Sequence, residues 1–317
     1  MHVRVGMVFN ARSRHTPRVE TEADTQAKCD GFVQFIRRTN RIPPHAFFVV
    51  SAMFHYLGPS FAVLLFVHVE PLGVDWLRIA TAAIVFALWR RPWRYWLQLC
   101  ANDRWTVVGL GLVLAAMNVL FYLAIARLPL STVGAIEFLG PIGLAAFGLR
   151  TGRNLLALGL AVFGVYVLTD VRLEGEPAGY AFAFANCALF LLYLMLGHRI
   201  AKDGGADGID RLGAAMIIAM LVALPVGVRD AMPAFASASL LLAAIAVGIA
   251  SSVIPYVADQ LAMARLPRAS FALLLSLLPA TATLIGFIVL NQVPTSLEII
   301  GIGLVIAGVA LHQAKAA

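Results

Sequence analysis

From Ala46 onward, long apolar runs alternate with short polar breaks. The runs predict helices at 46–67, 76–89, 105–126, 130–149, 154–169, 179–198, 212–228, 238–260, 269–290 and 297–313. A helix needs roughly 20 predominantly apolar residues to cross a hydrocarbon core, and most of these runs approach that length. In that solvent a spanning segment must satisfy its own backbone groups, which a helix does. The breaks are too short to hold a soluble domain, so the ten helices are expected to form one bundle. Residues 1–45 follow a different pattern, with eight Lys/Arg, four Asp/Glu and no apolar stretch longer than a few residues. A secretory signal needs an apolar stretch of about 7–15 residues, and none is found there. The segment reads as a basic, partly disordered cytoplasmic tail, or as an extension upstream of the true start. Within it, "GFVQFIRR" (Gly31–Arg38) has the composition of a short basic turn lying on a membrane surface.

Composition turns the pattern into a class. Of 317 residues, 61% are hydrophobic and 13% are charged, against about 25% charged in soluble domains. The mean hydropathy is +0.85. The net charge of +7 would suggest nucleic acid in a soluble protein, but here the basic residues sit in the tail and the short loops. That distribution reads as topology instead. With the N-terminus inside, twelve Lys/Arg fall in cytoplasmic loops: Arg90, Arg91, Arg94, Arg104, Arg150, Arg153, Arg199, Lys202, Arg211, Arg265, Arg268 and Lys315. Only four, Arg78, Arg127, Arg172 and Arg229, fall outside, where Glu70, Asp75, Asp170, Glu174 and Glu176 also lie. Both termini are therefore expected in the cytoplasm.

The chain also repeats itself. A shift of 138 residues aligns "LAIARLP" at Leu123 with "LAMARLP" at Leu261, and continues to place Pro141 on Pro279 and Gly148 on Gly286. Slightly different shifts pair Arg78 with Arg211, and Gly159 and Gly164 with Gly303 and Gly308. Each unit holds five predicted helices. Five is odd, so the second unit enters the membrane from the opposite side. Inverted repeats of this kind are a recurring plan of secondary transporters, whose sites lie near the midplane at interrupted helices. Pro141 and Pro279 are the expected interruptions, because proline cannot donate to the carbonyl four residues earlier, here that of Glu137 or Leu275. Gly159, Gly164, Gly303 and Gly308 read as close-packing positions between helices.

"MNVLFYLAIARLPLSTVGAIEFLGP" (Met117–Pro141) resembles the drug/metabolite transporter superfamily, EamA-type, and within it the bacterial threonine/homoserine exporter group. "YLGPSFAVLLF" (Tyr56–Phe66), "VDWLR" (Val74–Arg78), "LYLMLGHR" (Leu192–Arg199) and "IPYVADQLAMARLP" (Ile254–Pro267) extend the likeness over nearly all of 46–313. The resemblance implies two five-helix repeats with both termini inside, and export of small metabolites or amino acids. The fold expected is thus an all-α integral membrane protein of the bacterial inner membrane. Its parts are a tail at 1–45, a first EamA-like repeat at 46–170 and a second at 178–313. Related exporters often carry an acid just before the ninth-helix proline and another at the end of that helix. This chain has Leu278 and Gln292 in those places.

Candidate chemistry centres on Glu137, one carboxylate in an apolar run. A charge near the bilayer centre costs roughly 2.5–3.5 kcal/mol on insertion scales, so it is expected to face the bundle interior. It reads either as a group that binds substrate or proton, or as a protonated structural acid bonded to a neighbouring helix. Asn118 and Tyr122 share one helix face at i and i+4, and with Tyr193, Tyr256 and Ser276 they are candidates for substrate contact or interhelical bonding. Arg78 is expected at the external interface, with snorkelling as its plain reading. Asp259 and Arg265, with Arg268, are expected near the cytoplasmic end of the eighth helix, as a gate or an interfacial ion pair.

Cys29, Cys100 and Cys187, and the histidines His45, His55, His68, His198 and His312, show no metal-ligand spacing. No phosphate loop or nucleophile elbow is present either. No cofactor, metal or nucleic acid is expected, and no enzyme. The partners expected are a small-molecule substrate, protons and membrane lipids, with the chain a monomer or homodimer. A nucleotide sugar, a purine or a cationic drug remain alternative cargoes, and a lipid-processing enzyme or a sensor the alternative outside transport.

Overall fold

The computed structural model describes residues 43–97, 99–137, 139–140, 151–170, 176–201, 205–266, 271 and 278–311. Regular structure in them is helical. We number the helices α1 (Pro44–Leu65), α2 (Pro71–Arg90), α3 (Ala101–Ile125), α4 (Leu130–Glu137), α5 (Gly152–Asp170), α6 (Pro177–Ala201), α7 (Gly205–Phe235), α8 (Ala238–Met263), α9 (Leu278–Leu290) and α10 (Ser296–Leu311). A five-residue helical segment, Pro92–Trp96, follows α2. Six helices are long and apolar enough to cross a membrane, namely α1, α2, α3, α6, α7 and α8. Shorter apolar helical stretches lie within α5, α9 and α10. The chain is thus a multi-pass, all-helical membrane protein. Of the predicted tail 1–45, residues 1–42 lie outside the described residues, as does Pro141, while Pro44 and His45 belong to α1.

Local sequence sets the helix ends. Pro71 opens α2, where a missing N–H costs nothing because the first-turn donors have no intrahelical partner. Arg91 closes it in the left-handed region at φ 50°, its N–H reaching Ala87 O, and Pro92 prevents continuation. Thr295 and Glu298 form a reciprocal capping box before α10, Glu298 Oε2 accepting the Thr295 N–H at 2.7 Å. Gln292, in the turn before it, accepts the Leu130 N–H at 3.3 Å and so satisfies a donor at the start of α4.

α2 packs along α7, α3 along α6 and α7, and α5 along α10. α1 packs on α8 and α9, and α4 on α6 and α9. In the α5–α10 pair, a Cβ on Gly164 would lie 2.6 Å from Gly301 O, and one on Gly308 would lie 2.6 Å from Ala157 O. Ascending α5 from 157 to 164 therefore means descending α10 from 308 to 301, so these helices run antiparallel at backbone contact. Gly159 and Gly303, expected in the same seam, instead face open space. They lie five residues from Gly164 and Gly308, a spacing that turns them off that face of the helix.

α8 is interrupted. Its first stretch, Ala238–Gly248, passes into a π-helical turn at Ile249–Val253 before α-helix resumes at Ile254. Pro255 accounts for the defect, because it lacks the N–H that would bond the carbonyl of Ser251. Gly58 of α1 sits directly against the bulge, where a Cβ would meet the backbone of Ser251. Pro59 lies next to it, inside α1, and withholds a donor from the carbonyl of His55. Pro59 and Pro255 thus interrupt two helices that pack on each other, and α7 carries two further internal prolines, Pro225 and Pro233. Pro279 lies within α9, whose preceding residues 272–277 are outside the described set.

Candidate functional site

The bulge and Pro59 border a small, partly open cavity. Its lining includes Arg78, Glu137, Asn118, Asn186, His55 and Tyr256, with Ser251 from the bulge. Pro59, Met117 and Phe121 give it an apolar wall. A small volume with a few convergent polar groups and a greasy wall suits a small polar molecule.

Glu137 stands at the end of α4 and is 2% exposed. Gly134, one turn earlier, allows α4 to approach α9 and Tyr56, since a Cβ there would lie 2.9 Å from that of Ala282. The carboxylate accepts from Tyr56 OH at 3.3 Å and from Asn186 Nδ2 at 3.0 Å. His55 Nε2 lies 3.9 Å from Oε2. Three helices, α1, α4 and α6, therefore converge on one carboxylate. Asn186 Oδ1 is buried and has no partner among the described residues.

Across the cavity Arg78 is 3% exposed, so it does not snorkel to a surface. The α2 backbone places Asp75 at i−3, on the same face, and the pair is bonded at 2.9 Å. Arg78 also donates to Asn118 Oδ1, and its guanidinium lies 4.7 Å over the Tyr122 ring. Asp75 was expected in an external loop but is 1% exposed. Its Oδ2 and the Arg78 Nε lack partners among the described residues. Asn118 ties this cluster to α8, because its Oδ1 also accepts from Tyr256 OH at 3.2 Å.

A third polar cluster lies beside the cavity. Asp259 is 6% exposed and accepts from Ser51 Oγ at 2.5 Å and Tyr193 OH at 3.4 Å. The Tyr193 ring packs 5.7 Å from that of Tyr256. Asp259 was expected to pair with Arg265 near a helix end, but its carboxylate is held inside by α1 and α6. Arg265 lies instead over the Phe47 ring at 5.2 Å. Ser276 and Pro141 lie outside the described residues.

The structure brings Glu137, Asn118, Tyr256 and Arg78 to one cavity, with Tyr122 and Tyr193 in contact behind it. Sequence reasoning missed His55, Asp75, Asn186 and Ser51. The signals were weak but present: Asp75 precedes Arg78 by three residues and Ser51 precedes His55 by four, each pair on one helix face. Among the described residues, no group of three or more His, Cys, Asp or Glu could hold a metal ion.

This bundle, with a charged cavity among interrupted helices, is that of a membrane transporter. Residues 177–312 match the EamA-like transporter family. The chain is 32% identical over 253 residues to the threonine/homoserine exporter RhtA of Escherichia coli (strain K12), covering 79% of this chain and 84% of that protein. It is equally similar to the RhtA of Salmonella typhimurium (strain LT2), with the same coverage. The chain belongs to the EamA-type drug/metabolite transporter superfamily, and it is a transporter, not an enzyme. A solved crystal structure also shares the fold, with a TM-score of 0.56 at 18% identity over 84% of this chain and 96% of the other.

Proposed function

We propose that the protein exports amino acids of the threonine/homoserine type, or closely related small metabolites, across the bacterial inner membrane by alternating access. The observation that carries this reading is the placement of Arg78 and Glu137 on one small cavity. A zwitterionic amino acid carries a carboxylate and an ammonium a few ångströms apart. A guanidinium suits the first, in a planar fork that matches a carboxylate, and a glutamate suits the second. Asn118, Asn186 and Ser251 supply neutral donors and acceptors for a side-chain hydroxyl. The similarity to exporters whose names specify threonine and homoserine supports the same cargo.

Alternating access requires two halves that rock about the site, and the packing favours such halves. Exchanging α1–α5 with α6–α10 turns the α1–α8 contact into α6–α3, α1–α9 into α6–α4, and α3–α7 into α8–α2. The α2–α7, α4–α9 and α5–α10 contacts each turn into themselves. Corresponding helices α5 and α10 run antiparallel, as halves of opposite orientation demand. Tyr256 and Asn118, separated by the repeat offset of 138 residues, bond to each other at the cavity. This bond supports a reading in which the relating axis runs through the site, with ten helices in two inverted repeats and both termini cytoplasmic by the arginine distribution.

Reconstituted protein offered a panel of amino acids, nucleotide sugars, purines and organic cations tests the cargo, with and without a pH gradient. Threonine or homoserine flux that Glu137→Gln reduces tenfold or more, about 1.4 kcal/mol in transition-state terms, is the expected result. Flux of another class alone would overturn the assignment. Normal threonine flux through Glu137→Gln at every pH would remove the carboxylate from it.

A further inference from the structure

Glu137 and Asp259 are two buried carboxylates beside one helix, α1, and only Glu137 lines the cavity. α1 presents Ser51 and His55 to them at i and i+4, on a single face. Ser51 bonds Asp259, while His55 Nε2 lies 3.9 Å from Glu137 Oε2. The Ser51 bond thus holds Asp259 about one turn of α1 from the His55 ring. We propose that His55 passes protons between Glu137, at the substrate cavity, and Asp259, one helical turn nearer the start of α1.

This rests on the transport reading above and adds the route by which a proton gradient would drive it. The step balances as follows. The protonated Glu137 carboxyl gives its proton to the neutral His55 ring, and the imidazolium then gives one to the Asp259 carboxylate. Glu137 ends ionised and free to hold a substrate ammonium, and Asp259 ends neutral. The 3.9 Å gap is longer than a hydrogen bond, so transfer needs a small ring movement or one bridging water. Pro59 favours such movement, because α1 lacks the backbone bond from residue 59 to the carbonyl of His55 itself.

The charged and titratable groups facing the ring are few. α4 supplies Glu137, α8 supplies Asp259 and the cavity-lining Tyr256, α2 supplies Arg78, and α1 itself supplies Tyr56. α6 brings Tyr193 to Asp259 and Cys187 near Glu137. The described residues of α9 include no titratable side chain. One turn of helix advances about 5.4 Å, so Ser51 and Asp259 lie nearer the end of α1 that the arginine distribution assigns to the cytoplasm. Tyr56 on Glu137 and Tyr193 on Asp259 hold the two termini of the route in the same manner.

The test uses full-length protein in proteoliposomes and radiolabelled L-threonine as probe, reading two quantities. Counterflow, the exchange of threonine at equal pH on both sides, needs no net proton movement. Accumulation against a threonine gradient under an imposed pH difference does. Asp259→Asn is expected to keep counterflow within about twofold and to lose pH-driven accumulation at least tenfold, and His55→Gln is expected to lose pH-driven accumulation equally. Asp259→Asn or His55→Gln with full pH-driven accumulation overturns the relay. So does wild-type counterflow that no pH difference can drive uphill, which leaves the exporter reading intact. Absence of threonine counterflow in wild type removes that reading and the relay together. Ser51→Ala serves as a second perturbation of the Asp259 end: a rightward or leftward shift in the pH profile of accumulation supports the route, and an unchanged profile counts against it.

Discussion

Arg78 and Arg211, which the sequence alignment of the chain on itself pairs, sit in different surroundings. Arg78 is 3% exposed, paired with a buried Asp75, and reaches the cavity. Arg211 is 6% exposed and pairs with Asp103, whose side chain is 33% exposed, at 3.4 Å. The α5–α10 seam has the opposite character: Gly164 on Gly301 and Gly308 on Ala157 are the same contact written twice. The comparison teaches that the α5–α10 seam is packed alike from both of its helices, while the surroundings of the two arginines differ. A site for an asymmetric molecule, with an anion at one end and a cation at the other, requires such broken symmetry.

The largest expected effect comes from unpairing Arg78. Removing one partner of a buried pair costs about 3–5 kcal/mol, so Asp75→Asn should lower the apparent melting temperature in detergent sharply. Asp103→Asn, at the half-exposed counterpart, should change stability by less than about 1 kcal/mol. Equal losses for both would erase the difference between the two arginines. Next in size is substrate recognition. Arg78→Gln should weaken threonine transport about ten- to hundredfold, as loss of charged hydrogen bonds worth about 1.5–3 kcal/mol implies. Arg211→Gln should leave transport within about twofold, since its guanidinium does not reach the cavity. Flux measured side by side in one lipid preparation decides it.

The seam gives the third contrast. Gly164→Ala and Gly308→Ala insert a methyl against a carbonyl and should each destabilise by about 1–3 kcal/mol, by thermal unfolding. Gly159→Ala and Gly303→Ala meet no neighbour within 4 Å and should be neutral or stabilising by up to about 1 kcal/mol. If all four behaved alike, the alternation read from the backbone would be wrong.

The helical plan was legible because hydropathy and punctuation act locally. Prolines at 71 and 92 and the Thr295–Glu298 box mark helix ends with residues whose chemistry needs no tertiary information. The likeness between the two stretches of sequence was visible because Arg, Pro and Gly keep their spacing where apolar residues drift. Glu137 stood out as one charge in an apolar run, and its burial follows from the same cost. Asp75, Asp259 and Arg78 misled because they lie near the ends of apolar runs, where a hydropathy count assigns charge to the interface. Only tertiary packing, with α7 against α2 and α1 against α8, encloses them. Gln292 looked like a missing acid, whereas its side chain caps α4. Pro59 lines the cavity and Pro255 precedes its Tyr256, yet the sequence likeness drew attention to Pro141 and Pro279. A repeat points to what the halves share, and the site depends on what they do not.

The central claim, that the cavity holds both ends of an amino acid between Arg78 and Glu137, is tested most directly by competition. Counterflow of labelled L-threonine in proteoliposomes is measured against threonine itself, against an analogue lacking the amine and against one lacking the carboxylate. The account predicts that threonine competes and that each truncated analogue is at least tenfold weaker, about 1.4 kcal/mol. An analogue without a carboxylate that competes as well as threonine would contradict it.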